Sequence, residues 1–470
     1  MNKILKYSLA LMVLLCTFSC KKGLERLNRN RTNPTSLDAA LMLNNAIINT
    51  SYTTRTLVFE IGIVQQMVTP NGGVLAGANF NQDSRDVTLA GSWSVYYQAV
   101  IKNTHDVITR TKDVPARSNL LHMARIWQAY TFMVLTDSYG EIPYFEGGAG
   151  YSDQIFFPKY NTQEEIYGDL IKELTEASAG LDAAGAIESS DVLYAGDITK
   201  WKKFANSLLL RAGMRLVKVD ANKAQLTVQA AAAAAGGLIT SNADNAYLRH
   251  DANYTQPIGN TLNGSEAANF YLAKPFVDQL KSTSDPRLSA IAIRYVGATS
   301  GNGQTVGVGS TAAAQQIGMP IGKDNGTIVT AATADGLASF YDYSQADRRR
   351  IVKPSSPVFF LTASQTNLLL AEARFRGWIT TGTAAQYFAD GIRANMDQMA
   401  TYDPASAVSA GDRDTYVTAN PLGAGTELQQ INVQYWIASF LNGPETFANF
   451  RRSGLDRKST RLNSSHPYRS

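Results

Sequence analysis

The sequence predicts a mostly α-helical protein, built on a tetratricopeptide-like scaffold of paired helices with long, loop-rich insertions. Apolar residues recur at spacings of three and four along several long segments, and helix-capping residues stand at the starts of these segments. Small residues also occur where such helices would cross. Each pair of helices can bury its apolar stripe only against the next pair, so a succession of amphipathic helices favours an array. No regular repeat period is visible, and we expect a degenerate array.

Three helix starts can be read from local sequence signals. Ser118 is expected to cap a run with one apolar face, Thr162 and Glu165 form a capping box before a second run, and Asp197 precedes a third. The large aromatic residues in these runs stand at helical spacing and are predicted to be core: Trp127, Tyr130, Trp201 and Phe204.

Later in the chain, helices are predicted over residues 362–376, closed by Gly377, over 384–399 and over 426–440. Between about residues 236 and 357 the pattern changes to glycines and small polar residues. We expect this middle section to form long connections over the helical scaffold, where binding residues tend to lie.

The N-terminus is typical of an exported protein. A basic start leads into an apolar run from Leu9 to Leu15 and ends at Ser19 and Cys20. We interpret residues 1–19 as a signal peptide, Cys20 as a lipidated first residue and residues 20–36 as a polar tether. Thr17 stands where a lipobox usually has leucine, and a plain signal peptide or an uncleaved anchor stays open. The other cysteine, Cys16, lies in the segment to be removed, so no disulfide is expected.

The charge distribution argues against nucleic-acid binding. The formal net charge is +4, but the signal segment contributes +2 and residues 457–470 contribute +4. The part between them is slightly acidic and has no basic stripe. The segment 457–470 is polar, basic and without apolar periodicity, and we interpret it as a non-native tail, with a native disordered tail as the alternative.

Four segments together resemble the SusD/RagB family of outer-membrane nutrient-binding lipoproteins, in its SusD-like branch. They cover residues 124–146 (ARIWQAYTFMVLTDSYGEIPYFE), 200–216, 355–378 and 434–454 (QYWIASFLNGPETFANFRRSG). The resemblance implies a SusD-like helical domain over residues 37–456. It also implies a lipid-anchored, surface-facing protein that delivers oligosaccharides or peptides to a SusC-like TonB-dependent outer-membrane transporter.

Two features depart from the family pattern. After Gly454 the family continues through a further proline- and arginine-containing segment, so the domain is expected to be truncated at its C-terminus. Residues 21–23 (Lys-Lys-Gly) lack the acidic residues that often mark surface-exposed lipoproteins.

Glycan capture needs a flat aromatic ring against the apolar face of a sugar, with polar groups that fix the hydroxyls. The stretch between residues 71 and 97 offers such a mixture outside an obvious helix, and a loop at about this position contributes to the ligand site in related proteins. Two tyrosines in the middle section are second-rank candidates. For each residue an ordinary loop contact is the alternative. The candidates are Asn79, Phe80, Asn81, Asp83, Arg85, Trp93, Tyr254 and Tyr343.

No catalytic residues, metal site or cofactor are predicted. The four histidines form no zinc-protease pair, and no Gly-x-Ser-x-Gly elbow is present. Residues 318–323 (GMPIGK) lack the spacing and the Ser or Thr of a phosphate loop. Two alternatives to a binding protein stay open: a surface glycosidase, because carboxylates are plentiful, and a purely structural interaction scaffold.

Overall fold

The computed structural model describes residues 37–53, 55–71 and 91–454, and within these ranges the chain is mostly helical, as predicted. The α-helices are α1 Ala39–Asn49, α2 Arg55–Val58, α3 Glu60–Ile63, α4 Gly91–Val95, α5 Lys102–Thr111, α6 Ser118–Tyr139, α7 Gln163–Gly180, α8 Ile198–Arg215, α9 Ala221–Ala233, α10 Pro257–Asn263, α11 Lys274–Ser282, α12 Arg287–Ile291, α13 Thr327–Ala334, α14 Ala363–Phe375, α15 Ala384–Tyr402, α16 Ala410–Ala419, α17 Glu427–Ala438 and α18 Gly443–Ser453. The strands are β1 Met67–Val68, β2 Ile142–Pro143, β3 Tyr160–Asn161, β4 Ala246–Leu248, β5 Tyr271–Leu272, β6 Ala292–Tyr295, β7 Gly309–Ser310, β8 Gln345–Ala346 and β9 Val358–Leu361.

Consecutive long helices pack against each other in pairs. Helix α6 packs on α5 and α7, α8 packs on α7 and α9, and α14 packs on α15 and α17. Helices α8 and α14 also meet, which joins the two halves of the scaffold. The strands are short and pair as β1-β5, β2-β3, β4-β9 and β7-β6-β8. The predicted succession of paired helices is confirmed.

Two of the three predicted helix starts are confirmed in their local chemistry. The Thr162 hydroxyl accepts from the Glu165 amide while the Glu165 carboxylate accepts from the Thr162 amide, as a capping box requires. Asp197 accepts from the amide of Lys200. The prediction for Ser118 is wrong in detail: it is the first helical residue, because a 3₁₀ turn at Pro115–Arg117 leads directly into the helix.

The core is centred on the aromatic residues that helical spacing predicted to be buried. Trp127, Trp201 and Phe204 have no exposed surface, and Tyr130 has 1%. Phe360 of β9 meets the Trp127 ring edge-on, with centroids 5.0 Å apart. Both indole nitrogens are satisfied, since Trp127 donates to Thr50 Oγ1 at 3.0 Å and Trp201 donates to Asp191 Oδ2 at 2.8 Å. Burial of these rings therefore leaves no unpaired indole N–H.

A buried ionic network ties α18 to α6 and α8. Glu445 lies 3.0 Å from Arg211 and 2.7 Å from Arg215, measured between the charged atoms. Arg215 also pairs with Asp137 at 3.1 Å, and Tyr167 donates to the same carboxylate at 2.6 Å. These residues come from four helices, so the network fixes how those helices meet.

The middle section is more ordered than expected. It contains the short helices α10 to α13 and the three-stranded sheet β7-β6-β8, where the sequence predicted connecting loops. Its elements are too short for either helical or strand periodicity to register in the sequence. A separate small core with Tyr271, Met319 and Ile328 holds part of it together.

Within the described ranges, no helix combines the length and apolar character that crossing a bilayer would require.

Candidate ligand-binding site

A loop of residues 144–159 projects from a minimal pair of strands. Pro143 of β2 stands opposite Tyr160 of β3, and Ile142 opposite Asn161. The Asn161 side-chain oxygen accepts from the amides of Tyr144 and Phe145, each at 3.2 Å. One amide side chain thus satisfies the two donors at the start of the loop and fixes its base.

The loop is also attached along its length. The Lys159 amide donates to Glu146 Oε2 at 2.8 Å, which closes the loop on itself. His105 of α5 lies 3.1 Å from Ser152 Oγ and 3.3 Å from Asp153 Oδ2. Gly148 adopts φ +86° against Ile101 and His105, a position where a side chain would be both strained and crowded. The loop is therefore docked on α5 rather than free in solvent.

Aromatic side chains on this loop face solvent. Four of them have between 58% and 95% of their surface exposed: Phe145, Tyr151, Phe156 and Phe157. Four exposed rings on one surface segment are typical of an interaction site, because exposed apolar residues on a protein surface are usually scattered singly.

A second set of rings lies at the base of the loop, and we call Trp93, Tyr97, Tyr139 and Tyr160 the Trp93 cluster. Ring centroids lie 5.0 Å from Trp93 to Tyr97, 5.4 Å to Tyr139 and 5.9 Å to Tyr160. The Tyr160 ring is nearly parallel to the indole, at 22°, and is 62% exposed. Tyr139 is 37% exposed. The cluster offers a half-buried indole with tyrosine rings that extend from it into solvent.

The backbone holds the Trp93 cluster in an unusual way. Helix α4 continues into a π-helical segment, Tyr96–Ile101, before α5 begins. Such wide turns alter the direction of side chains relative to an α-helix and often occur at functional sites. The Tyr97 hydroxyl donates to the carbonyl of Pro143 at 2.6 Å, which joins this segment to β2. Burial raises the pKa of Tyr97 and of Tyr139, so both phenols stay protonated at neutral pH.

Residues 30–468 match the SusD-like family described as "Starch-binding associating with outer membrane". This chain belongs to the SusD-like family. Its family is associated with the outer membrane.

Solved structures of SusD-like proteins are similar over most of the chain. A chitin-binding protein is 29% identical, with 89% of this chain and 87% of that one covered and a TM-score of 0.77. A chitin-binding SusD homologue from Flavobacterium johnsoniae is 23% identical, with the same coverage and a TM-score of 0.71. A SusD homologue from Bacteroides fragilis is 22% identical, with 89% and 87% covered and a TM-score of 0.69. The last two comparisons show the fold alone. No curated protein matches the chain.

Three of the predicted site residues of this SusD-like chain lie within the described ranges: Trp93, Tyr254 and Tyr343. Trp93 lies at the centre of the cluster that bears its name. Five candidates fall outside the described residues and stay sequence predictions: Asn79, Phe80, Asn81, Asp83 and Arg85. Cys20 also falls outside them.

Tyr343 is not a ligand contact in this fold, which corrects the prediction. Its ring has no exposed surface and packs in the small core of the middle section, and its hydroxyl donates to Asp335 Oδ2 at 2.6 Å. A ring that is fully covered cannot stack on a sugar. Tyr254, by contrast, is 59% exposed and borders a groove of its own, whose described lining shares no residue with the Trp93 cluster.

The sequence prediction missed the loop of residues 144–159. Its signal was present as five aromatic residues within a segment broken by Gly147, Gly148, Gly150 and Pro158. Such breakers exclude a long helix, so the aromatic residues of this segment cannot form the apolar stripe of one. Tyr160 belongs to the same segment and was missed for the same reason.

The described residues hold no group of three or more histidine, cysteine or acidic side chains that could bind a metal ion. Two carboxylates that lie close together in the sequence, Asp244 and Asp251, are engaged by the protein itself. The Asp244 carboxylate lies 2.8 Å from the Lys203 ammonium, and the Asp251 carboxylate accepts from two backbone amides of its own turn. What the Trp93 cluster provides is stacking surface and phenolic hydroxyls, which suit binding.

Proposed function

We propose that this SusD-like protein captures oligosaccharides on the Trp93 cluster, without chemical conversion, and delivers them to a SusC-like TonB-dependent transporter in the outer membrane. The observation that carries the proposal is the exposed Tyr160 ring stacked nearly parallel on Trp93 beside a loop rich in exposed aromatic residues. Membership of a family described as starch-binding supports a glycan over a peptide, as does the similarity to a chitin-binding protein.

The geometry fits sugar binding in physical terms. The apolar face of a pyranose packs on an aromatic ring, and the hydroxyl of the exposed Tyr160 donates to a sugar hydroxyl group. Because Trp93 is already held by Tyr97 and Tyr139, little side-chain freedom is lost when a sugar docks. The predicted contacts Asn79, Phe80, Asn81, Asp83 and Arg85 are proposed to add polar groups to the same site.

Calorimetric titration with chito- and malto-oligosaccharides tests this proposal. Wild-type protein is expected to bind at least one series, and Tyr160→Ala is expected to weaken binding about tenfold, which corresponds to about 1.4 kcal/mol. Phe375→Ala removes another exposed ring, at the end of α14, and is the matched control. Equal loss in both variants, or no binding of either series, would contradict the proposal. Shortened oligosaccharides after incubation would favour a glycosidase instead.

We also infer that acyl chains on Cys20 hold the protein at the outer membrane, facing the cell surface. One buried chain binds only marginally, at about 0.8 kcal/mol per methylene, so a stable anchor needs more than one. Mass spectrometry of the protein from bacterial membranes should find Cys20 as an acylated N-terminal residue, and Cys20→Ser should release the protein into the soluble fraction. An unmodified thiol would refute the anchor without affecting the ligand site.

A further inference from the structure

A groove of about 600 Å³ is lined by residues none of which belongs to the Trp93 cluster. It is bordered by residues 191–195, by the first turn of α8, by β4 and by the turn that follows β4. Its volume is in the range of small-molecule sites, which is about 300–1,000 Å³. We call it the Tyr254 groove, after its most exposed ring.

The turn that carries Tyr254 is held rigidly. Asp251 Oδ1 accepts from the amides of Asn253 at 2.8 Å and Tyr254 at 3.0 Å. His250 contacts the Tyr254 carbonyl through Nδ1 at 2.7 Å and Ser51 Oγ through Nε2 at 3.0 Å. Burial lowers the pKa of His250, so the ring is neutral at neutral pH and keeps both bonds. The exposed Tyr254 ring is therefore presented on a backbone that needs no ordering when a ligand binds.

Two further tyrosines border the groove, each with a cation beside it. Arg249 lies over the Tyr247 ring, 5.2 Å from its centroid, and donates to the Tyr247 hydroxyl at 2.9 Å. Lys200 lies 6.0 Å from the centroid of Tyr194, whose hydroxyl donates to the carbonyl of Asp244 at 2.9 Å. The groove thus combines flat rings with positively charged groups that lie over two of them.

Among the described residues, no ion pair joins Lys200 or Arg249 to a carboxylate. The carboxylate of Asp191, which also borders the groove, is 6% exposed and accepts from the Trp201 indole and three backbone amides. Asp251 uses one oxygen within its own turn. An ammonium and a guanidinium therefore stay available, and a guanidinium in particular suits a planar carboxylate or a sulfate.

We propose that the Tyr254 groove is a second saccharide site, which binds a sugar residue that carries a negative charge, either a uronate carboxylate or a sulfate ester. Tyr254 supplies the stacking surface, and Lys200 and Arg249 pair with the anion. The inference rests on the proposed function in that the protein binds saccharides, but it uses residues that the Trp93 cluster does not contain.

The test is calorimetric titration of the full chain with three probes: an oligogalacturonate, a chondroitin sulfate oligosaccharide and neutral chitohexaose. At least one acidic probe should bind wild-type protein, and its affinity should fall with added salt. The double variant Lys200→Gln/Arg249→Gln should lose about tenfold or more in affinity for that probe. Tyr254→Ala should weaken it as well. The probe that binds distinguishes a carboxylate from a sulfate.

Controls separate this site from the Trp93 cluster and from general charge effects. Lys172→Gln/Lys274→Gln removes the same number of positive charges from exposed positions on α7 and α11 and should leave acidic binding unchanged. Chitohexaose binding should be retained by the double variant and weakened by Tyr160→Ala. If neither acidic probe binds, or if the double variant binds it as wild type does, the inference is overturned. Chitohexaose binding that still depends on Tyr160 would then leave the proposed function standing.

Discussion

Replacing Glu445 by glutamine removes one negative charge from the centre of the helical core and keeps the size of the side chain. Two guanidiniums depend on this carboxylate, Arg211 at 3.0 Å and Arg215 at 2.7 Å, and their side chains are only 2% and 5% exposed. After the change Arg215 retains Asp137 at 3.1 Å. Arg211 retains only neutral acceptors, among them Gln365 Oε1 at 2.9 Å. One buried cation is then left without a counter-charge.

The cost of Glu445→Gln follows from this geometry. Removing one partner of a buried pair costs about 3–5 kcal/mol, because an uncompensated charge stays in the interior. Within the described residues, Nε of Arg211 and Nη1 of Arg215 already lack an acceptor, so no spare acceptor offsets the loss. Because unfolding entropy is about 2.1 cal/mol/K per residue, this cost lowers the Tm of a chain of this length by about 3–5 °C.

The pH dependence of stability in Glu445→Gln tests whether the lost negative charge causes the destabilisation. Burial alone would raise the pKa of Glu445, but attraction to Arg211 and Arg215 holds it below its ordinary value. The carboxylate stabilises the fold above its unfolded pKa, and this contribution is lost as pH falls through the folded value. The difference between wild type and Glu445→Gln should therefore shrink in acid.

Urea denaturation and calorimetry measure these effects. The control is Lys172→Gln, which breaks an exposed pair with Asp169 at 3.7 Å and should cost under about 0.5 kcal/mol. A Glu445→Gln variant no less stable than this control would refute the reasoning.

Three more predictions concern stability and the loop. Burial raises the pKa of Glu60 to about 7. Between the unfolded pKa and this value the carboxyl ionises in the unfolded chain but stays protonated in the folded one, so the wild type loses stability as pH rises through this window. Glu60→Gln should therefore gain about 2–3 kcal/mol relative to wild type on going from pH 5 to pH 8, measured by denaturation, and a constant difference would count against it. Gly259→Ala places a methyl group against the backbone carbonyl of Lys353 and should cost about 1–3 kcal/mol; an unchanged Tm would contradict the packing. Asn161→Ala leaves two amides at the base of the loop without their side-chain acceptor. It should weaken oligosaccharide binding in calorimetry and lower Tm only slightly, and an unchanged affinity would contradict the role of the loop.

The sequence was most informative where the determinants are local. The Thr162 capping box and the Trp127 and Trp201 stripes depend on residues within one or two helical turns, so they could be read without knowing the fold. Helices predicted over 362–376, 384–399 and 426–440 agree with α14, α15 and α17 to within three residues at each end.

Features that depend on distant contacts were beyond the sequence. Glu445 and Arg215 are far apart in the chain, and nothing local marks either as a partner of the other. Tyr343 stands in a loop-rich segment that suggested exposure, yet a small core formed with Met319 and Ile328 covers it. In the Trp93 cluster, Tyr139 and Tyr160 contact Trp93 of the earlier helix α4. These residues are distant in sequence and come together only when the chain folds.

The most direct measurement of the central claim is a crystal structure of the protein with a bound chito- or malto-oligosaccharide. We expect a sugar ring packed on Tyr160 at the edge of the Trp93 cluster, with the loop of residues 144–159 beside it. An ordered oligosaccharide that avoids both Tyr160 and Trp93 would contradict it.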